Sequence, residues 1–131
     1  MAQSVCRIVG FLLMTVGFVG FAAPSFLGMH LTPVHNVIHI VSGALALYVG
    51  YSAPNGARRF SVFFGSIYTL LGVLGFVAPS LVGSLLAHGA IVNAGALVPD
   101  NVVHVLLGCV FLVAGFSTAG VSRKPIGVGK A

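Results

Sequence analysis

The segment His35-Asn36-Val37-Ile38-His39-Ile40-Val41-Ser42-Gly43 recurs 65 residues later as Asp100-Asn101-Val102-Val103-His104-Val105-Leu106-Leu107-Gly108. In both copies Asn, His and Gly stand at i, i+3 and i+7, positions that share one face of an α-helix. Gly50 and Gly115 continue those faces. Each copy opens a long apolar run, so a polar Asn/His pair falls about one turn inside the start of a helix otherwise suited to lipid.

A second recurrence lies upstream. Gly17-Phe18-Val19-Gly20-Phe21-Ala22-Ala23-Pro24-Ser25 matches Gly72-Val73-Leu74-Gly75-Phe76-Val77-Ala78-Pro79-Ser80 at an offset of 55, which Gly10/Gly65 and Gly28/Gly83 keep. The step from 55 to 65 marks a ten-residue insertion in the loop 79–99. Two tandem repeats are expected, about 8–52 and 60–119, followed by a tail, 120–131. Two helices per repeat is an even number, so both repeats take the same orientation about an axis along the membrane normal. The second and fourth spans then run parallel, with His39 and His104 at equal depth near the outer leaflet.

The composition excludes a water-soluble globule. Hydrophobic residues make up 58% of the 131 and charged residues 5%, with mean hydropathy +1.13. Soluble domains carry about 25% charged residues. Spans of roughly 20 apolar residues give an all-α, four-helix membrane bundle forming a single domain.

The net charge of +5 invites a nucleic-acid reading that the positions refuse. Arg7 precedes the first apolar run, Arg58 and Arg59 separate the second from the third, and Arg123, Lys124 and Lys130 follow the fourth. Four crossings put all six on one side, the positive-inside pattern. Both termini and the middle turn are expected in the cytoplasm, in a bacterial inner membrane, with the cations near anionic headgroups.

Arg7, the apolar run and the small residues Ala22-Ala23 imitate a cleavable secretory signal. The internal partner at 72–80 argues for a retained helix, spanning about 8–23. Thr32-Pro33 reads as an N-cap with proline at the first helical position, opening a span to about Ser52. Residues 53–59 read as a turn rich in breakers, and the later spans fall at about 60–78 and 100–119. The loop 79–99 is apolar, yet a fifth crossing would move the basic tail outside. A short interfacial helix or a loop lying on the bundle is expected instead. Cys6 and Cys109 lie too far apart in depth to pair and read as small reduced packing residues. Tyr51 falls where interfacial aromatics anchor spans.

Glycine stripes on the first span (Gly10, Gly17, Gly20) and third (Gly65, Gly72, Gly75) resemble those at Gly43, Gly50, Gly108 and Gly115. Small residues let helices approach closely in lipid, where packing drives association. The Asn/His faces should therefore point into the bundle.

The four spans, the apolar end of span one before Pro24, the motif His35-Asn36-x-x-His39-x-x-x-Gly43 and its copy Asp100-Asn101-x-x-His104-x-x-x-Gly108 together resemble an uncharacterised domain-of-unknown-function family of small four-span bacterial membrane proteins with paired Asn-x-x-His motifs. The resemblance covers about 8–118. It implies fold and location and brings no activity with it.

Several functions fit the polar residues. The leading one is structural: Asn36 and Asn101 cap helix starts, and His39 and His104 bond each other, the Asn side chains or loop carbonyls. The protein is then a non-enzymatic scaffold or an accessory subunit of a larger membrane complex, with a membrane-protein partner or a second copy of itself. The alternative is ligation, since neutral imidazole is the commonest metal ligand. His39 and His104 would grip a haem or other tetrapyrrole, or would hold copper with His35, His30 or His88. Met29-His30 adds a loop thioether and imidazole of the kind copper takes. Against haem, the outer loops carry no Lys or Arg for propionates, only Ser25, Thr32, His30 and His88. A small transporter or a lipid- or quinone-binding protein is a third reading, though Asp100, the only carboxylate, sits at the outer edge as a helix cap. A hydrolase or transferase lacks its paired carboxylates or Ser/His/Asp set. Asp100 at i−4 from His104 is placed to orient that ring, and His35 replaces it in the first repeat, so any ligand site is asymmetric.

Overall fold

The computed structural model describes residues 1–52, 54–86 and 94–117. Among them are five α-helices and no strand: α1 (Ala2–Ala22), α2 (Pro33–Ser52), α3 (Pro54–Val77), α4 (Pro79–Leu85) and α5 (Val98–Ser117). All but α4 are long and apolar enough to cross a membrane. At 1.5 Å per residue they reach about 30–36 Å, enough for a hydrocarbon core of about 30 Å. The tail with Arg123, Lys124 and Lys130, and loop residues 87–93 with His88, lie outside the described residues.

Prolines set the ends. Pro24 disfavours helix at Ala23, which turns extended (φ −134, ψ 78) and ends α1. Pro79 does the same to Ala78 (φ −140, ψ 64), ending α3 and beginning α4. Thr32 caps α2 as expected: its hydroxyl accepts the His35 N–H (3.2 Å) and donates to the Leu86 carbonyl (2.8 Å).

Two boundaries differ from expectation. Span one starts at Ala2, so Arg7 lies within α1 and snorkels, its Nε donating to the Gly50 carbonyl (2.9 Å) and its guanidinium lying 4.8 Å from the Tyr51 ring centroid. Span three starts at Pro54, not near residue 60. Pro54, Asn55 and Gly56 sit in a first helical turn, where the N–H groups lack intrahelical partners anyway, so breaker residues are tolerated there. Of the apolar loop, 79–85 forms the short α4, and residues 94–97 make a 3₁₀ turn leading into α5.

Close packing joins α1 to α2 and α3 to α5, with lighter contact between the pairs. Glycines make both approaches. A Cβ at Gly43 would stand 2.7 Å from the Gly10 carbonyl oxygen, and one at Gly65 would stand 3.0 Å from that of Gly108. Gly50 packs on Arg7 and Cys6, and Gly115 on Val62 and the Arg58 backbone. Arg58 Nε donates to the Gly115 carbonyl at 3.1 Å, as Arg7 does to Gly50. The described arginines therefore gather at one end of the bundle.

The distribution of polarity inverts that of a soluble protein. Phe11, Phe18, Leu45, Phe63, Leu70, Leu106 and Val113 are exposed, while His35, Asn36, His39, Ser42, Ser61, Asp100, Asn101 and His104 are buried. Such an outer surface suits lipid contact. Cys6 is buried, its thiol reaching the Ala57 carbonyl (3.6 Å) and Ser61 Oγ (3.4 Å). Cys109 corrects the expectation of two packing cysteines: it is exposed on the outward face of α5.

Candidate metal centre

At the end opposite the arginines, three histidines converge. His35 and His39, one turn apart on α2, meet His104 from the first half of α5. Ring centroids lie 4.3 Å apart for His35 and His39, 5.5 Å for His35 and His104, and 6.4 Å for His39 and His104. All three are buried, and one ring nitrogen from each lies within 4.8 Å of the other two. The centre of an equilateral triangle of that side is about 2.8 Å from its corners, against metal–nitrogen bonds of roughly 2.0–2.1 Å. Inward ring shifts below about 1 Å close the gap, a movement that side-chain rotation supplies.

Backbone carbonyls fix the tautomers. His35 Nδ1 lies 3.1 Å from the His30 carbonyl oxygen, and His104 Nδ1 lies 2.6 Å from that of Asp100. A carbonyl only accepts, so each Nδ1 carries the proton, and in the neutral ring Nε2 is the unprotonated nitrogen. That is the outer-shell arrangement of metal-binding histidines. His39 contributes something sharper: its Nδ1 is buried with no hydrogen-bond partner among the described residues. A neutral imidazole can point a lone pair there, and burial without a partner costs free energy.

Asp100 organises the site from behind. It is 2% exposed, and both its carboxylate oxygens accept the His30 N–H, at 3.2 and 3.1 Å. The His30 carbonyl in turn takes the His35 proton. One residue thus holds His104 through its backbone and His35 through the loop. This corrects the expectation that Asp100 caps α5 or bonds His104 through its carboxylate. Its side chain turns from its own helix to the opposite loop, where it accepts the His30 N–H.

The asparagines are not caps either. Asn36 lies within α2 and donates Nδ2 to the Leu31 carbonyl (3.3 Å), beyond the reach of any N-cap position. Its carboxamide fills the notch that Gly20 leaves on α1, and that of Asn101 fills the notch at Gly75 on α3. A Cβ at either glycine would fall inside the amide. The Asn positions key the helices together and stand beside the histidines without joining them.

Two further neighbours stand beside the histidines: Tyr68, which the sequence reading did not place there, and Met29, which it placed in an outer loop as a copper donor. Tyr68 of α3 stacks on His104 (5.5 Å between centroids, 25° between planes), and its hydroxyl lies 3.1 Å from Ser42 Oγ. Its signal was a tyrosine deep in an apolar span, whose hydroxyl needs a buried partner. Met29 is the other. Though in a loop, it is 5% exposed and shares an apolar cavity with His39.

The arrangement does not suit haem. His35 packs against both rings that would flank the iron. The adjoining cavity holds about 240 Å³, below the 300 Å³ or more usual for cofactor pockets. A single ion fits the donors present. Comparison with protein-family models, curated proteins and solved structures finds no match.

Proposed function

We propose that this chain is a multi-pass membrane protein that binds one d-block metal ion through His35, His39 and His104. The observation carrying the reading is the buried Nδ1 of His39, unpartnered among the described residues, beside two imidazoles whose tautomers are set by carbonyls. Purely structural histidines account for His35 and His104, which have their carbonyl bonds. They do not account for a third ring buried against them with a ring nitrogen unsatisfied among the described residues.

The tandem-repeat architecture belongs to the same proposal. Support comes from contacts recurring at the sequence offsets: Gly20 on Asn36 and Gly75 on Asn101, Arg7 on Gly50 and Val62 on Gly115. Parallel second and fourth spans bring the histidines to one depth. The arginine end is the cytoplasmic end by the charge rule, which turns the histidine end outward in a bacterial inner membrane. Membership of the four-span family with paired Asn-x-x-His motifs rests on those motifs. A site closed among helices, with no carboxylate pair beside it, suits a holding or accessory role in a membrane assembly better than catalysis.

The test is metal analysis and an absorption spectrum of protein extracted gently from its native membrane, with His35→Ala, His39→Ala and His104→Ala alongside. About one ion per chain, lost in all three variants, is expected. A metal-free, colourless protein that takes up no added metal would return the histidines to a packing role.

A further inference from the structure

We infer that the ion is copper(I) and that the Met29 thioether is its fourth ligand; this rests on the three-histidine reading. The first support is the position of Met29. The loop after α1 makes a tight turn through two left-handed residues, Leu27 (φ 54) and Gly28 (φ 76). Glycine accepts that conformation freely, whereas leucine adopts it against steric resistance. Leu27 is left 77% exposed, and Met29 is turned to the interior at 5% exposure. A non-glycine residue held in a strained conformation points to a requirement beyond chain reversal. Here the residue directly after the left-handed pair is a buried thioether.

Met29 and His39 line the same cavity of about 240 Å³, walled otherwise by aliphatic side chains such as Leu13, Val16 and Leu107. Thioether sulfur is a soft donor that selects copper(I), while imidazole serves copper and zinc alike. A methionine beside three histidines therefore shifts preference away from zinc.

Charge points the same way. Asp100 is the only carboxylate in the chain, and it is buried. Among the described residues the arginines lie at the far end, Arg7 on Gly50 and Arg58 on Gly115. A monovalent ion among neutral imidazoles and a thioether leaves ion and carboxylate balanced. A divalent ion leaves one positive charge in a low-dielectric interior, where an uncompensated charge is costly.

The experiment uses the full chain in detergent. Copper(I), kept reduced by ascorbate, is titrated against a chromogenic copper(I) chelator, and zinc(II) is titrated in parallel. X-ray absorption is recorded on the copper-loaded sample. Met29→Leu preserves volume and apolarity, so it folds. The wild type is expected to bind one copper(I) per chain, more tightly than zinc(II), with nitrogen and sulfur in the first shell. Met29→Leu should lose the sulfur shell and weaken copper(I) on the order of tenfold or more, the scale on which even outer-shell partners alter affinity. Its zinc(II) affinity should stay the same. If Met29→Leu holds copper(I) as the wild type does, or if the wild type prefers zinc(II), the copper assignment is wrong and the three-histidine site survives. If His39→Ala binds either metal as tightly as the wild type, the three-histidine reading fails as well.

Discussion

Replacing Gly43 with alanine tests the packing on which the site depends. The added Cβ would stand 2.7 Å from the Gly10 carbonyl oxygen and 2.9 Å from the Met14 amide nitrogen, both backbone atoms of α1. Neither can rotate away, so α1 and α2 must part by about 0.5–0.7 Å to reach ordinary contact, a local overpacking that typically costs 1–3 kcal/mol. Part of that is offset, since alanine is about 0.8–1 kcal/mol better than glycine inside a helix. Gly56→Ala supplies the control. It also lies in a helix, α3, but its Cβ would meet nothing nearer than Val49 at 3.9 Å. The gap between the two variants isolates the packing penalty, with Gly43→Ala expected to be less stable by about 1–3 kcal/mol. Reversible unfolding in mixed micelles, titrated with SDS and followed by far-ultraviolet circular dichroism, reads the difference; the chain has no tryptophan for fluorescence. His39 stands one turn before Gly43 on the same face, so metal uptake should weaken in step. Equal stability of the two variants would refute the close approach of α1 and α2 and, with it, the placement of the histidines.

Other expectations follow from single contacts. Tyr68→Phe removes the hydroxyl bonded to Ser42 and keeps the ring stacked on His104; it should cost about 0.6–1.7 kcal/mol in the same titration and leave metal stoichiometry unchanged. Asp100→Asn keeps one acceptor for the His30 N–H and removes the buried charge, so chelator competition should show metal affinity reduced on the order of tenfold with helicity intact. Cys6 should be spared by a small maleimide in folded protein and should react in SDS, as mass spectrometry would record. With an impermeant maleimide on intact cells, Leu27→Cys should label from outside and Asn55→Cys only after permeabilisation; the reverse pattern would overturn the orientation.

What the sequence made legible is what helical periodicity controls. Asn36, His39 and Gly43 occupy one face whatever the surroundings, and His35 joins it at i−4 from His39. Thr32-Pro33 carries its own capping chemistry, and apolar runs of span length need no tertiary information. Where the features depend on a second element, the sequence was silent or misleading. Asp100 looked like a cap because it opens a helix, but its choice of the His30 N–H depends on where a loop 70 residues away passes. Cys109 looked like a packing residue because small residues pack in lipid; its outward direction depends on how α5 rolls against α3. Met29 was visible as a soft donor, yet its burial follows from a left-handed turn in which only Gly28, and not Leu27, advertises that conformation.

Positions 35 and 100 are equivalent under the 65-residue offset, and they hold the two residues that differ most in chemistry: an imidazole in the first copy, a carboxylate in the second. Identical copies with His at both would bring four imidazoles together and leave the loop at His30 without its acceptor. Identical copies with Asp would set two carboxylates beside two histidines, a harder donor set suited to hard or borderline divalent ions. The divergence divides the tasks. On the proposed reading His35 supplies the third nitrogen, while Asp100 is the anion that holds His30, whose carbonyl fixes the proton of His35. His35→Asp should therefore do more than remove a ligand: it should move selectivity from copper(I) toward manganese(II) or zinc(II) in parallel titrations. A variant that lost all metals equally would mean the copies differ for packing alone.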